Sequence, residues 1–321
     1  MSIGRRIWRV ARWALLALAL LIFVLNWTWA RPPKEPQPAG QFATVAGHKI
    51  HYVEHPGAGP TAQTVVLLHG QPGTIGDWER VVPLLKNYRV IAVDRPGYGH
   101  SGSGVPDLAE QADVLHGLLI RLKATPAIVV GHSWGGAMSM AIASRHPADV
   151  SELVLVGTAG GDFRRSRKVL MQARMTGFLE APGVRQIANA TFANTMRKAV
   201  ATPDLKLAFD PLPLDPGYQK RFLALTLRHS DMVSLTNERY ATSDGLKWLS
   251  GQYPRINQRA VVIHGRGDNL IAFKYARDLA KKLPNASFAL VSGGHMITYA
   301  HPQLIAQSVQ QAANRAAAEK R

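Results

Sequence analysis

Six short apolar runs punctuate the chain: Thr64 to Leu68, Tyr88 to Val93, Ala127 to Val130, Leu153 to Val156, Arg259 to Gly265 and Ser287 to Val291. Most are rich in β-branched residues and too short for helices, and polar positions do not alternate through them. That pattern predicts strands buried on both faces. Between them the period changes. Leu108, Ala112, Leu115, Leu119 and Leu122 recur at helical spacing, which predicts a helix over Pro106 to Lys123 with one face on the sheet. A second helix is expected from Met138 up to the breaker His146-Pro147, and a terminal one from Gln303. Strand and helix in alternation mean an α/β fold with a mostly parallel central sheet and helices on both faces. Ahead of it, Phe42 to Val45 and His48 to Val53, joined at Ala46-Gly47, read as a β-hairpin.

Two stretches break this rhythm. Trp13 to Leu25 is an unbroken apolar run continued by Asn26-Trp27-Thr28-Trp29-Ala30, and as a helix rising ~1.5 Å per residue the 18 residues would cover about 27 Å of a ~30 Å hydrocarbon layer. Trp8, Trp13, Trp27 and Trp29 bracket it as interfacial anchors. Arg5, Arg6, Arg9 and Arg12 precede it, against Arg31 and Lys34 after it, so the amino terminus is expected in the cytoplasm and the remainder exported. The competing reading is a signal peptide cleaved after Thr28-Trp29-Ala30. The second break runs from about Asp162 to Gly251, where no strong strand occurs. Helical patterns there are interrupted at Ala181-Pro182-Gly183, Thr202-Pro203 and Pro211 to Pro216.

The expected organisation is a basic segment 1–12, a transmembrane helix 13–30, a proline-rich extended linker 31–40, a core made of 41–160 and 252–321, and a helical insert 161–251. Phe163, Met171, Met175, Phe178, Phe192, Phe222, Met232 and Trp248 would either line an apolar pocket under the insert or form the insert's own core.

Composition adds little about chemistry. With no cysteine the 321 residues hold no disulfide and no thiolate metal site. The formal charge is +17, yet no nucleic-acid motif accompanies it. A solvated surface facing anionic lipid accounts for it better. No histidine spacing suggests a metal, and no cofactor is expected.

Candidate chemistry sits where the runs end. Ala127 to Val130 stops in Gly131-His132-Ser133-Trp134-Gly135-Gly136, a strand-to-helix turn so tight that glycine is needed two residues either side of the serine. This G-x-S-x-G elbow resembles that of the α/β-hydrolase superfamily. So does His69-Gly70-Gln71-Pro72-Gly73, an H-G-x-P-G turn after a core strand, and so does Asp94-Arg95-Pro96-Gly97-Tyr98-Gly99-His100-Ser101. The resemblance covers Phe42 to Arg315 and implies an α/β-hydrolase fold with a helical cap. It also implies Ser133 as nucleophile, Asp268 and His295 as its partners in that chain order, and the backbone N–H groups of Gln71 and Trp134 as oxyanion hole.

Asp162 is the reserve acid; Asp94, Ser101, His69, His132 and His264 are read as structural. Serine at the elbow fits an ester, thioester or lactone attacked through an acyl-enzyme, and argues against the haloalkane dehalogenases and epoxide hydrolases, which carry aspartate there. Proline iminopeptidases, carbon–carbon bond hydrolases and cofactor-free perhydrolases share the elbow. Between 160 and 250 eight acidic side chains face fourteen basic ones, which disfavours a cationic substrate. A small, apolar, ester-like substrate and a membrane are the partners expected, and a non-catalytic binding protein is the contrasting possibility.

Overall fold

The computed structural model describes residues 3–31, 33–59, 62–158, 160, 163–164 and 167–318. In chain order the elements are α1 (Ile3–Trp27), β1 (Gln41–Val45), β2 (His48–His55), β3 (Thr64–Leu68), β4 (Arg89–Val93), α2 (Leu108–Arg121), β5 (Ala127–His132), α3 (Trp134–Arg145) and β6 (Val150–Val156). Then come α4 (Arg167–Leu179), α5 (Val184–Thr191), α6 (Ala193–Phe209), α7 (Pro216–Thr226) and α8 (His229–Ser250). The chain closes with β7 (Arg259–Gly265), α9 (Phe273–Lys282), β8 (Ala286–Val291), α10 (Ile297–Ala300) and α11 (Pro302–Ala318).

The eight strands form one sheet in the order β1-β2-β4-β3-β5-β6-β7-β8. The hairpin β1-β2 adds antiparallel to β4, and every other pairing is parallel. Successive residues of a strand point to opposite faces, and here both faces are core. Val66, Leu68, Val129, Leu153 and Leu155 pack with α2, α3 and α9. Val65, Leu67, Ile128, Val130, Val154 and Val156 pack with α11 and the 75–85 segment. That two-sided burial is why the strands read as unbroken apolar runs.

The helices between β6 and β7 have a separate small core of Leu205, Phe209, Tyr218, Phe222, Leu223, Leu227 and Met232, closed by Met296 from the loop after β8 and by Tyr299 of α10. Two of the three expected breaks in this region are real; the third is not. Pro203 lies inside α6. It removes one backbone donor, while burial of Leu205, Ala208 and Phe209 just beyond it holds the helix together. The amino-terminal helix also differs from expectation. It starts at Ile3, taking in Arg5, Arg6, Arg9 and Arg12, and ends at Trp27. Its 25 residues are long and apolar enough to cross a membrane.

Candidate active site

Ser133 sits between β5 and α3 with φ 54° and ψ −117°. Only a tightly held turn keeps a non-glycine residue there. The surroundings explain how. A Cβ on Gly131 would run into the carbonyl of Gly135, and one on Gly135 into the carbonyl of Leu68 in β3. The start of α3 is therefore pressed against the sheet, and the serine is raised at its rim. Trp134 is the first residue of α3, so its N–H has no acceptor within the helix.

Asp268 follows β7 and His295 follows β8. His295 Nδ1 lies 2.7 Å from Asp268 Oδ2. The other carboxylate oxygen accepts the amides of Leu270 and Ile271, each at 2.8 Å. Burial pushes this carboxyl up, but His295, the His264 ring and the Ile271 amide outweigh it and hold it well below the usual carboxylate range. Ser133 Oγ makes no hydrogen bond with His295 among the described residues; the two meet as walls of one cavity of about 560 Å³. Gly70, Gln71 and Trp134 line the same cavity. Asp162 lies outside the described residues.

The histidines read as structural stand directly behind this group. His264 Nε2 donates to the Ile271 carbonyl at 2.8 Å and lies 3.2 Å from Asp268 Oδ2. His132 Nε2 donates to the His295 carbonyl at 3.0 Å. Burial, with the nearby His295, lowers His132 to about 3. Burial also lowers His69 to about 3, so both rings are neutral at any working pH.

Arg95 and Glu238 stand behind the candidate site, and sequence reasoning passed over their pairing. The Arg95 guanidinium is fully buried and pairs with Glu238 of α8 at 2.7 Å. Its Nη2 also donates to the Gly70 carbonyl at 2.9 Å, which His69 Nδ1 bonds at the same distance. Two donors thus fix the carbonyl of the Gly70–Gln71 peptide, and a planar trans peptide turns the Gln71 N–H to the opposite side. Glu238 in turn accepts from Tyr98 Oη, Gln71 Nε2 and Gln111 Nε2 at 2.6, 2.6 and 3.1 Å. Asp94 accepts the Ile75 and His100 amides and the His51 ring, and Ser101 Oγ donates to the Asp94 carbonyl. The turn Asp94 to Ser101 therefore braces the Gln71 loop. Only the juxtaposition of Arg95 with a glutamate 143 residues away carries this, and no local motif encodes it.

Of the apolar side chains expected at a pocket, Phe163, Met175, Phe222 and Met232 line the cavity. Trp248 packs on the main core, whereas Met171 and Phe178 are exposed. His116, His146 and Asp149 bring ligand atoms within 4.8 Å of one another, a cluster that no sequence spacing announced. It joins the interior of α2 to the turn after α3, at the opposite end of α3 from Ser133, and His116 Nδ1 is already paired with Asp149 and His146 Nε2 with Asp113.

The α/β hydrolase fold family matches residues 63–302. This chain belongs to that family. Among curated α/β hydrolases it is 24% identical over 271 residues to the uncharacterized hydrolase YugF of Bacillus subtilis, covering 83% of this chain and 94% of the relative. It is 30% identical over 270 residues to the 2-hydroxy-6-oxononadienedioate/2-hydroxy-6-oxononatrienedioate hydrolase of Paraburkholderia phymatum, covering 79% and 87%. Among solved structures it superposes on a bacterial membrane phospholipase A with a TM-score of 0.63 and 22% identity, over 96% of this chain and 95% of that one. A match that long takes in part of α1.

Proposed function

We propose that this α/β hydrolase is a membrane-anchored serine hydrolase cleaving a carboxylic ester, thioester or lactone. His295 takes the Ser133 proton as Oγ attacks the acyl carbon, and the Gln71 and Trp134 amides bind the resulting oxyanion. His295 then returns that proton to the leaving oxygen or sulfur, and a water repeats the sequence to free the acid. Asp268 holds the imidazole tautomer and offsets its charge. The carrying observation is the His295–Asp268 bond at the wall of an apolar cavity that also exposes Ser133. A Ser133–His295 hydrogen bond is expected to form once substrate occupies the cavity.

The test is labelling with a fluorophosphonate and turnover of short p-nitrophenyl esters. Both should vanish in Ser133→Ala and fall steeply in His295→Ala; undiminished turnover in either variant overturns the reading. The Paraburkholderia relative supports a second one, carbon–carbon bond hydrolysis of a 2-hydroxy-6-oxo dienedioate. Assay of such a compound beside the esters separates the two. The α1 helix serves as an uncleaved anchor with the catalytic body exported, so protease added to intact spheroplasts should digest the body and spare the first dozen residues.

A further inference from the structure

The amino-terminal helix is built into the body at one place. Asn26, 1% exposed, accepts the amides of Asn194 and Thr195 on Oδ1 at 3.0 and 3.3 Å and donates from Nδ2 to the Asn189 carbonyl at 2.8 Å. The first amides of α6 need an acceptor, and Phe192 at the cap position has none to offer. Asn26 supplies it from 168 residues away. Trp27 Nε1 donates to the Ala190 carbonyl at 2.8 Å, and the Lys198 ammonium lies 4.4 Å from the centre of the Trp29 ring. Apart from this last turn almost all of α1 is exposed. A bilayer crossed by α1 therefore meets the protein at the α5–α6 junction.

The face around that junction is apolar and basic. Phe178 of α4 and Ile187 of α5 are 66% and 69% exposed, and Met171, Met175 and Val200 are exposed beside them. Residues 167–209 carry seven basic and two acidic side chains. Of the two acids, Glu180 is buried against Arg197 and His229, while Asp204 is exposed and also lines the cavity. Met175 and Val200 are at once part of the exposed face and part of the cavity that holds Ser133. One opening of the cavity thus lies on the face beside the α5–α6 junction, and another at Asn269 and Leu270 after β7.

We propose that the α4–α5–α6 face docks on an anionic leaflet, and that the cavity draws a long-chain acyl ester sideways out of that leaflet rather than from water. Exposed apolar side chains ringed by Arg and Lys are what an interfacial surface requires. Continuity with α1 specifies a membrane as occupant. The substrate half of the proposal rests on the serine-hydrolase reading; the docking half does not.

The absence of cysteine makes the test direct. Full-length protein carrying Phe178→Cys, Ile187→Cys or, as control, the exposed Lys281→Cys is labelled with a fluorophore and reconstituted in vesicles of phosphatidylcholine and phosphatidylglycerol. Quenchers carried on lipid tails should quench the labels at 178 and 187 and spare the one at 281; equal sparing of all three overturns docking. Phe178→Glu combined with Ile187→Glu, both outside the cavity lining, should cut hydrolysis of vesicle-borne phosphatidylglycerol roughly tenfold and leave a soluble short ester unchanged. Unchanged hydrolysis of the vesicle lipid, or equal loss on both substrates, overturns sideways loading. A parent protein inactive on every ester removes the catalytic reading, and the quenching result still decides docking.

Discussion

At the scale of single residues, the elbow leaves almost no room for change. Gly135→Ala would drive a methyl group into the Leu68 carbonyl, and the expected outcome is a loss of about 3 kcal/mol of stability, read from denaturant unfolding. Asp268→Asn keeps the shape of the His295 pair but favours the wrong tautomer, so kcat should drop about 10⁴-fold while the thermal midpoint stays close to the parent's. Asp77 behaves differently. Burial raises its carboxyl from 3.8 to about 7, against the hydrogen bonds from Tyr218 Oη and the Thr74 amide. The folded state therefore holds a proton that the unfolded chain has released, and stability falls as pH rises from about 4 to about 7. Asp77→Asn should gain on the parent across that window by a few degrees in melting temperature; a constant difference would show that Asp77 is ionised throughout. Ser133, Asp268 and His295 were legible as candidates because their order along the chain, each closing a strand-like run, matches the α/β-hydrolase pattern. Asp77 was not, since its environment comes from Tyr218, 141 residues further on.

At the scale of elements, the buried Arg95–Glu238 pair joins the turn after β4 to helix α8 and clamps the peptide that presents the Gln71 amide. Glu238→Gln strands the Arg95 charge in the interior and should cost about 3 to 5 kcal/mol. Arg95→Met with Glu238→Met removes both charges and should recover part of that stability. The Gly70 carbonyl would still lack its guanidinium donor, so kcat should remain down about 10²-fold with KM for a short ester little altered. Recovery of kcat along with stability would reduce the pair to a structural strut. Parallel strands were visible in the chain because burial on both faces writes them as apolar runs. Helix limits in the 167–250 region were less so. Pro203 looked like a break, and neighbours distant in sequence decided otherwise. Met171 and Phe178 looked like pocket or core and turned out exposed, because periodicity tells that a face is apolar and not what covers it.

At the scale of the whole molecule, α1 is stitched into the α5–α6 junction by Asn26 and Trp27. Asn26→Ala should loosen the first turn of α6 by about 1 kcal/mol, seen as faster amide hydrogen exchange at Asn194 and Thr195, while β5 and β6 stay protected. The far end of α6 has its own attachment: the Ala208 carbonyl accepts the amide of Met296, next to His295. One rod of seventeen residues therefore runs from α1 to the loop that carries the imidazole. Clipping the chain after Ala30 would take the Asn26 side chain away with the first helix, so the released body would begin α6 with the Asn194 and Thr195 amides uncapped.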